Sequence, residues 1–221
     1  MGNSQWQQYF DQKAATHGAS VKSSDYFDDD SFFVQRDHIL QWIGPLAGKR
    51  ILDAGCGVGA FSEPWTRANT VVGVDFSEKS LEFAAARGLQ TLSADLTALP
   101  FESGSFDLVV CIGVIQLIEN YQPVLAELAR VTKRGGMLLV QTLHRGSLQR
   151  KLLGLVERSK KFDRMYEMAE LRDEFDRLGF GEASFLKQYH PFKTVASSDS
   201  FGGPADWFCT SFAIRGIKRG E

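Results

Sequence analysis

The 221-residue sequence has few cysteines, few prolines and almost no net charge. Its three cysteines, Cys56, Cys111 and Cys209, are odd in number and far apart. That spacing excludes a disulfide framework and a zinc knuckle, and it fits a reducing compartment. Twenty-five basic side chains stand against 27 acidic ones, a net charge of −2. Proteins devoted to nucleic acid usually carry a high isoelectric point and a basic face, so no nucleic-acid partner is expected. No apolar run approaches the ~20 residues needed to cross a bilayer. The first residues, Met1 to Gln8, are polar and lack the basic-then-apolar order of a leader peptide. Gly2 follows Met1, but Trp6 stands where a myristoylation signal carries Ser or Thr. The expected location is cytoplasmic.

What is present is an alternation of elements. Residues 1–30 are aromatic and polar without strand pattern and end in Asp25, Asp28, Asp29 and Asp30; a helical spacing then runs from Ser31 to Gly44-Pro45. Arg50 to Ala54 predicts a buried strand, followed by Gly55-Cys56-Gly57-Val58-Gly59 and a helix over 60–68. Further strands are predicted at 70–75, 90–94, 106–111 and 137–142, with helices at 80–87 and 122–131 between them. Ser77 is placed to cap the first of these helices and Gly88 to end it. Strand–helix alternation implies parallel β-α-β units in a sheet covered on both faces. Residues 148–178 read as largely helical. Ala183 to Tyr189 and Trp207 to Ile214 read as two late strands joined by a loop, placing an antiparallel strand in or at the edge of the sheet. The expectation is one α/β domain: a helical extension or lid over 1–47, then the main domain over 48–221.

Three aspartates, Asp53, Asp75 and Asp95, end successive predicted strands at intervals of 22 and 20 residues. In open α/β sheets ligands lie beyond the carboxyl ends of the strands, so these carboxylates share the ligand edge. Asp75, about 20 residues after the glycines, suits a ribose diol, and Asp95 an adenine amino group. A dinucleotide would set its pyrophosphate near the Asp53 carboxylate, which repels it. S-adenosylmethionine carries a sulfonium and an ammonium, which a carboxylate attracts. The charge pattern therefore favours S-adenosylmethionine over NAD.

These residues also carry a family likeness. Ile51-Leu52-Asp53-Ala54-Gly55-Cys56-Gly57-Val58-Gly59 resembles the first motif of class I S-adenosylmethionine-dependent methyltransferases, and Val72 to Ser77 resembles their second. Ala94-Asp95, Leu99-Pro100-Phe101, Ser105 to Val109 and Val131 to Leu138 extend the resemblance across residues 48–142. It implies a Rossmann-like three-layer sandwich whose mostly parallel sheet has seven strands, the last antiparallel. It further implies that Asp53, Gly55, Cys56 and Gly57 face the methionine portion of the cofactor. Asp75 would hold the ribose and Phe76 would pack on adenine, with Asp95 and Leu96 at the adenine edge. Ile112 would lie beneath the sulfonium. Many relatives carry Glu-His where this chain has Gln116-Leu117.

The resemblance implies methyl transfer to a small-molecule acceptor, with oxygen favoured over nitrogen or carbon. A non-catalytic, S-adenosylmethionine-binding or regulatory module is the alternative. Oxygen acceptors need a base. His144, directly after the fifth strand, and His190, after the sixth, are the candidates; each also reads as an ordinary loop histidine. No metal site is indicated. Residues 145–164 hold seven basic side chains against Glu157 and Asp163, with a stripe of Leu148, Leu152, Leu155 and Val156. This segment reads either as a solvated helix or as a flap for an anionic acceptor or a membrane surface. The chain is expected as a monomer or homodimer.

Overall fold

A computed structural model of the chain describes residues 3–24, 29–148, 164–189, 194–199 and 203–220. Its frame is a sheet of eight strands: β1 (Arg50–Ala54), β2 (Thr70–Asp75), β3 (Gln90–Ser93), β4 (Phe106–Ile112), β5 (Thr132–Leu143), β6 (Phe180–Tyr189), β7 (Thr194–Ser198) and β8 (Ser211–Lys218). Their order is β3-β2-β1-β4-β5-β8-β6-β7. β1 to β5 run parallel, and β8 lies antiparallel between β5 and β6.

Adjacent residues along each strand point to opposite faces, and both faces are apolar. Ile51, Leu108, Val110 and Leu139 pack beneath Phe32 and Ile39 of α2 (Asp29–Ile43) and Leu81 and Ala84 of α3 (Glu78–Ala86). Leu52, Val109 and Leu138 pack on the other side under α4 (Gln122–Val131) and α5 (Met168–Arg177). The expected three-layer sandwich is therefore present.

The expected seven strands become eight. β7 adds antiparallel to the outer edge of β6, in a stretch with no clear strand pattern. The helix expected over 60–68 is only a 3-10 turn, Glu63–Arg67. Pro64 sits at its start and Ser62 gives it no side-chain cap, because the Ser62 hydroxyl is turned to Asp53. The late strand expected at 207–214 begins four residues further on. Pro204–Phe208 forms a 3-10 turn that leaves Trp207 and Phe208 exposed, while Phe212 and Ile214 enter the core. β6 starts earlier than expected, at Phe180, across a register shift at Glu182, whose φ is +54°. β5 likewise starts earlier, at Thr132, through Gly135-Gly136, with a register shift opposite Phe106–Leu108. Of the helix expected over 148–178, α5 lies at its end, and residues 149–163 lie outside the described residues.

Residues without clear pattern at the start form α1 (Asn3–His17). It is tied to the body by Asp11, whose Oδ1 accepts from Ser77 Oγ at 2.6 Å and from the Lys79 N–H at 3.3 Å. Asp11 thus sits at the N-terminus of α3, where a carboxylate satisfies free amides and the helix dipole. Trp6, Tyr9 and Phe10 pack on one another along α1. No described helix is long and apolar enough to cross a membrane.

Candidate cofactor and acceptor site

Strand order reverses between β1 and β4, the point at which α/β sheets open a crevice. A narrow cleft lies there, bordered by Asp53, Gly55 and Ile112 from the strand ends and by Val21, Ser24 and Phe32 from above. The glycine loop turns over the β1 carboxyl end, and the N–H groups of Gly55 and Cys56 both donate to the Val74 carbonyl, at 2.7 and 3.0 Å. Gly57 has φ +50°, and a Cβ there would stand 2.3 Å from Ser24 Oγ. Only glycine lets the Val21–Ser24 turn lie this close to the loop.

Asp75 holds the loop from the next strand. Its Oδ2 accepts from the Gly57 N–H at 2.8 Å and its Oδ1 from the Ser77 N–H at 2.9 Å. Burial nevertheless raises its pKa, and these amide hydrogen bonds hold the rise down. Asp53 is 1% exposed. Burial pushes its carboxyl up to about 7, against the lowering effect of the Ser62 hydroxyl bonded at 2.5 Å, with the Asp75 charge adding to the rise. Cys56 also borders the cleft, and burial with both carboxylates nearby pushes its thiol well above its ordinary value, leaving it protonated.

The other expected contacts fall nearby with less definition. Phe76 is half-buried directly after β2. Asp95 sits beyond β3, where its Oδ1 accepts from the N–H and hydroxyl of Thr97, both at 2.8 Å. The Leu96 side chain enters the core beside Leu99, leaving its backbone for a ligand. Arg36 of α2 donates to Asp37 Oδ1 at 2.8 Å and to the carbonyl of Ala60, a residue at the cleft, at 3.3 Å.

His144 is brought to the carboxyl end of β5 but not into the cleft. It is 5% exposed rather than on a solvated loop. Nδ1 lies 3.1 Å from the Cys209 carbonyl, which can only accept, so Nδ1 carries the hydrogen. Nε2 faces Glu167 Oε2 at 3.4 Å, and the ring meets Phe212 edge-on. His17 is exposed at the end of α1, and His38 is half-buried within α2. His190 lies outside the described residues, as does most of the basic segment. Its ends are fixed to the body: Arg145 bonds Glu170 and the Met165 carbonyl, and Arg164 bonds the Glu119 carbonyl.

A polar cluster next to Ile112 was not singled out from the sequence. Gln141, the register partner of Ile112, is 3% exposed, and Gln188 of β6 is 5% exposed. Gln188 Oε1 accepts from Ser211 Oγ at 2.8 Å, Gln35 Nε2 at 2.5 Å and Gln141 Nε2 at 3.4 Å. Gln141 Oε1 and Gln188 Nε2 have no partner. Each such buried orphan costs about 1–3 kcal/mol. The signal that could have found the cluster is Gln141 itself, a polar residue closing the apolar run Met137 to Val140.

The two carboxylates, the positive-φ glycine loop and the absence of a basic side chain among the described residues lining the cleft fit a ligand with cationic groups and a ribose, and they do not fit a pyrophosphate. Comparison with known proteins agrees. Residues 52–140 match a family described as a methyltransferase domain. The chain is 35% identical over 118 residues to a ubiquinone biosynthesis O-methyltransferase of Bordetella avium, covering 48% of this chain and 49% of that one. It is 39% identical over 116 residues to a malonyl-[acyl-carrier protein] O-methyltransferase of Erwinia pyrifoliae, covering 51% and 44%. The matched region thus spans about half the length of these relatives. Among solved structures, an S-adenosylmethionine-dependent methyltransferase of Thermotoga maritima superimposes with a TM-score of 0.67 at 25% identity, over 84% of this chain and 87% of that one. Magnesium protoporphyrin IX methyltransferase of Synechocystis, with S-adenosylhomocysteine bound, shares the fold at a TM-score of 0.68 and 20% identity, over 98% and 100%. Residues 52–140 thus match a methyltransferase domain, and the fold is shared with S-adenosylmethionine-dependent methyltransferases of known structure.

Proposed function

We propose that this protein transfers the methyl group of S-adenosylmethionine to an oxygen of a small-molecule acceptor. The observation that carries the reading is the buried Asp53 carboxylate and the half-buried Asp75 carboxylate, which accepts from the glycine loop, at the topological switch. The O-methyltransferase relatives support the choice of oxygen, although they align over only half their length. When bound, the cofactor supplies an electrophilic methyl carbon on a sulfonium. The chain's own task is to hold that carbon in line with the acceptor and to exclude water. Asp53, Gly55, Cys56 and Gly57 face its methionine portion, Asp75 binds the ribose diol, Phe76, Asp95 and Leu96 border the adenine, and Ile112 packs below the sulfonium.

His144, which stands at the end of β5 outside the cleft, is the candidate base of this reading. The Cys209 carbonyl accepts from Nδ1, and Nε2 faces the Glu167 carboxylate at 3.4 Å. General-base catalysis is worth about 100- to 10,000-fold, so His144→Ala is expected to lower turnover at least about 100-fold with S-adenosylhomocysteine affinity unchanged. Full turnover across the pH range would remove His144 from this role.

Residues 1–47 act as a lid over the 48–221 domain. Support comes from the Val21–Ser24 turn above Gly57 and from Asp11 on the end of α3. Asp11→Ala removes a capping contact worth about 1 kcal/mol. Proteolysis within residues 1–24 is expected to accelerate several-fold in the free protein, and bound S-adenosylhomocysteine should suppress it. Cleavage at the wild-type rate would show that α1 is not held by this contact.

One observation favours a second reading, a module that binds the cofactor without turnover: both His144 ring nitrogens already face protein groups. Calorimetry and a methyl-transfer screen separate the two. Binding together with methylation of phenols, catechols or carboxylic acids supports the enzyme; binding with no transfer to any oxygen, nitrogen or carbon acceptor supports the module. Absence of binding refutes both.

A further inference from the structure

Gln141 and Gln188 lie on the face of the sheet that carries Ile112, at the carboxyl end of β5. The strand between them contributes Ala213, the register partner of Gln141, whose short side chain lets the two amides meet across β8. Ser211 Oγ and Gln35 Nε2 both donate to Gln188 Oε1 and so fix that amide. The result leaves one acceptor, Gln141 Oε1, and one donor, Gln188 Nε2, buried on these two touching amides without partners among the described residues. Native proteins rarely leave such atoms unmet, and a bound ligand is one reason for the exceptions.

The location links them to the cleft. Phe32 and Gln35 are one turn apart on α2; the first borders the cleft and the second bonds Gln188. The four side chains, Gln35, Gln141, Gln188 and Ser211, are all uncharged. The nearby ion pair, Lys187 with Asp206, belongs to the opposite face, because Lys187 alternates with Gln188 along β6. A carboxylate or ammonium at this position would be buried without a counter-charge. A hydroxyl both donates and accepts, so it satisfies both orphans at once.

We propose that Gln141 and Gln188 recognise an uncharged hydroxyl of the methyl acceptor, alone or beside a carbonyl, Gln141 Oε1 accepting from it and Gln188 Nε2 donating to the oxygen. The proposal rests on the methyltransferase reading and adds the chemical class of the acceptor's polar end. It sets a neutral hydroxyl compound ahead of an anion at this subsite.

The test is a ligand-observed NMR titration of the full chain at pH 7, with and without S-adenosylhomocysteine. The probes are phenol and benzamide, which are neutral donors and acceptors, against benzoate and benzylammonium, which are charged. The neutral probes are expected to bind at least about ten-fold tighter than the charged ones. Gln141→Met and Gln188→Met should each erase that preference while the S-adenosylhomocysteine affinity stays within about two-fold. Should a Met variant fail to fold, Gln141→Glu, nearly identical in shape, should shift the preference to benzylammonium. Equal binding of phenol and benzoate, no binding of phenol, or an intact preference in the variants would overturn the proposal. Titration of S-adenosylhomocysteine alone keeps the two readings separate. Its failure to bind wild type sinks the methyltransferase reading, whereas lost probe selectivity beside intact cofactor binding sinks only this one.

Discussion

Gly57→Arg is expected to reduce S-adenosylhomocysteine affinity by at least about 100-fold, equivalent to roughly 2.7 kcal/mol, while leaving a folded protein. Two features of one residue lead to this. Its φ of +50° lies in the left-handed region, where a side chain costs roughly 1–2 kcal/mol. For a chain of this length that corresponds to a drop of about 2–8 °C in melting temperature. The larger effect is on the ligand. The Gly57 N–H is held by Asp75 Oδ2, so shifting the loop also shifts the carboxylate proposed to bind the ribose. A Cβ would meet Ser24 Oγ at 2.3 Å, and an arginine there puts a guanidinium where a cationic ligand belongs. Gly57→Ala should be intermediate, showing the strain with only part of the binding loss. Calorimetry and thermal melting on the three proteins check the ordering. Wild-type affinity in Gly57→Arg would mean that the cofactor does not rest on this loop.

The second large effect is a pH dependence set by Asp53. Its carboxyl titrates near 7 in the folded protein against an ordinary value of 3.8. Below pH ~4 the group is protonated in both the folded and unfolded chains and favours neither. Between ~4 and ~7 the unfolded chain ionises while the folded one keeps its proton, so stability falls as pH rises. Above ~7 the full penalty applies, about 4 kcal/mol at roughly 1.4 kcal/mol per unit. Asp75, raised in the same direction, adds to the trend. Asp53→Asn abolishes this term, and at pH 8 the free protein should melt about 8–16 °C higher than wild type. Binding should run the opposite way. The cationic methionine portion of the cofactor favours ionised Asp53, so affinity should climb by up to about ten-fold per unit between pH 5 and 7 and then level off. In Asp53→Asn the profile should be flat and the affinity low. A wild-type profile that is flat over that range would show that Asp53 does not meet the cationic end of the ligand.

The frame and the cofactor end of the site were largely legible in the sequence because they depend on local, repeated physics. β-branched strands closed by Asp53 and Asp75, a glycine loop between them and a Ser77 cap each leave a mark within a few residues, and the switch point follows from the alternation. The misses come from long-range decisions. Ser62 looks like a helix cap, yet its hydroxyl goes to a carboxylate nine residues away and the helix shrinks to one 3-10 turn. Gln35, Gln141, Gln188 and Ser211 come from four separate elements, and only the insertion of β8 between β5 and β6 assembles them. Of the seven basic residues in 145–164, the two among the described residues, Arg145 and Arg164, bond Glu170 and backbone carbonyls.

The placement of β8 also bears on how the molecule is made. A strand formed by residues 211–218 fills the gap between β5 and β6. While the chain is still emerging from a ribosome, β5 and β6 both present unpaired backbone, and the Gln141–Gln188 contact has no strand to span. The half of the sheet from β1 to β5 can settle early, whereas the far half waits until residues 211–218 have emerged. Slow or stalled synthesis would therefore expose two sticky edges together, making this stretch a natural point for chaperone engagement and for aggregation of truncated product.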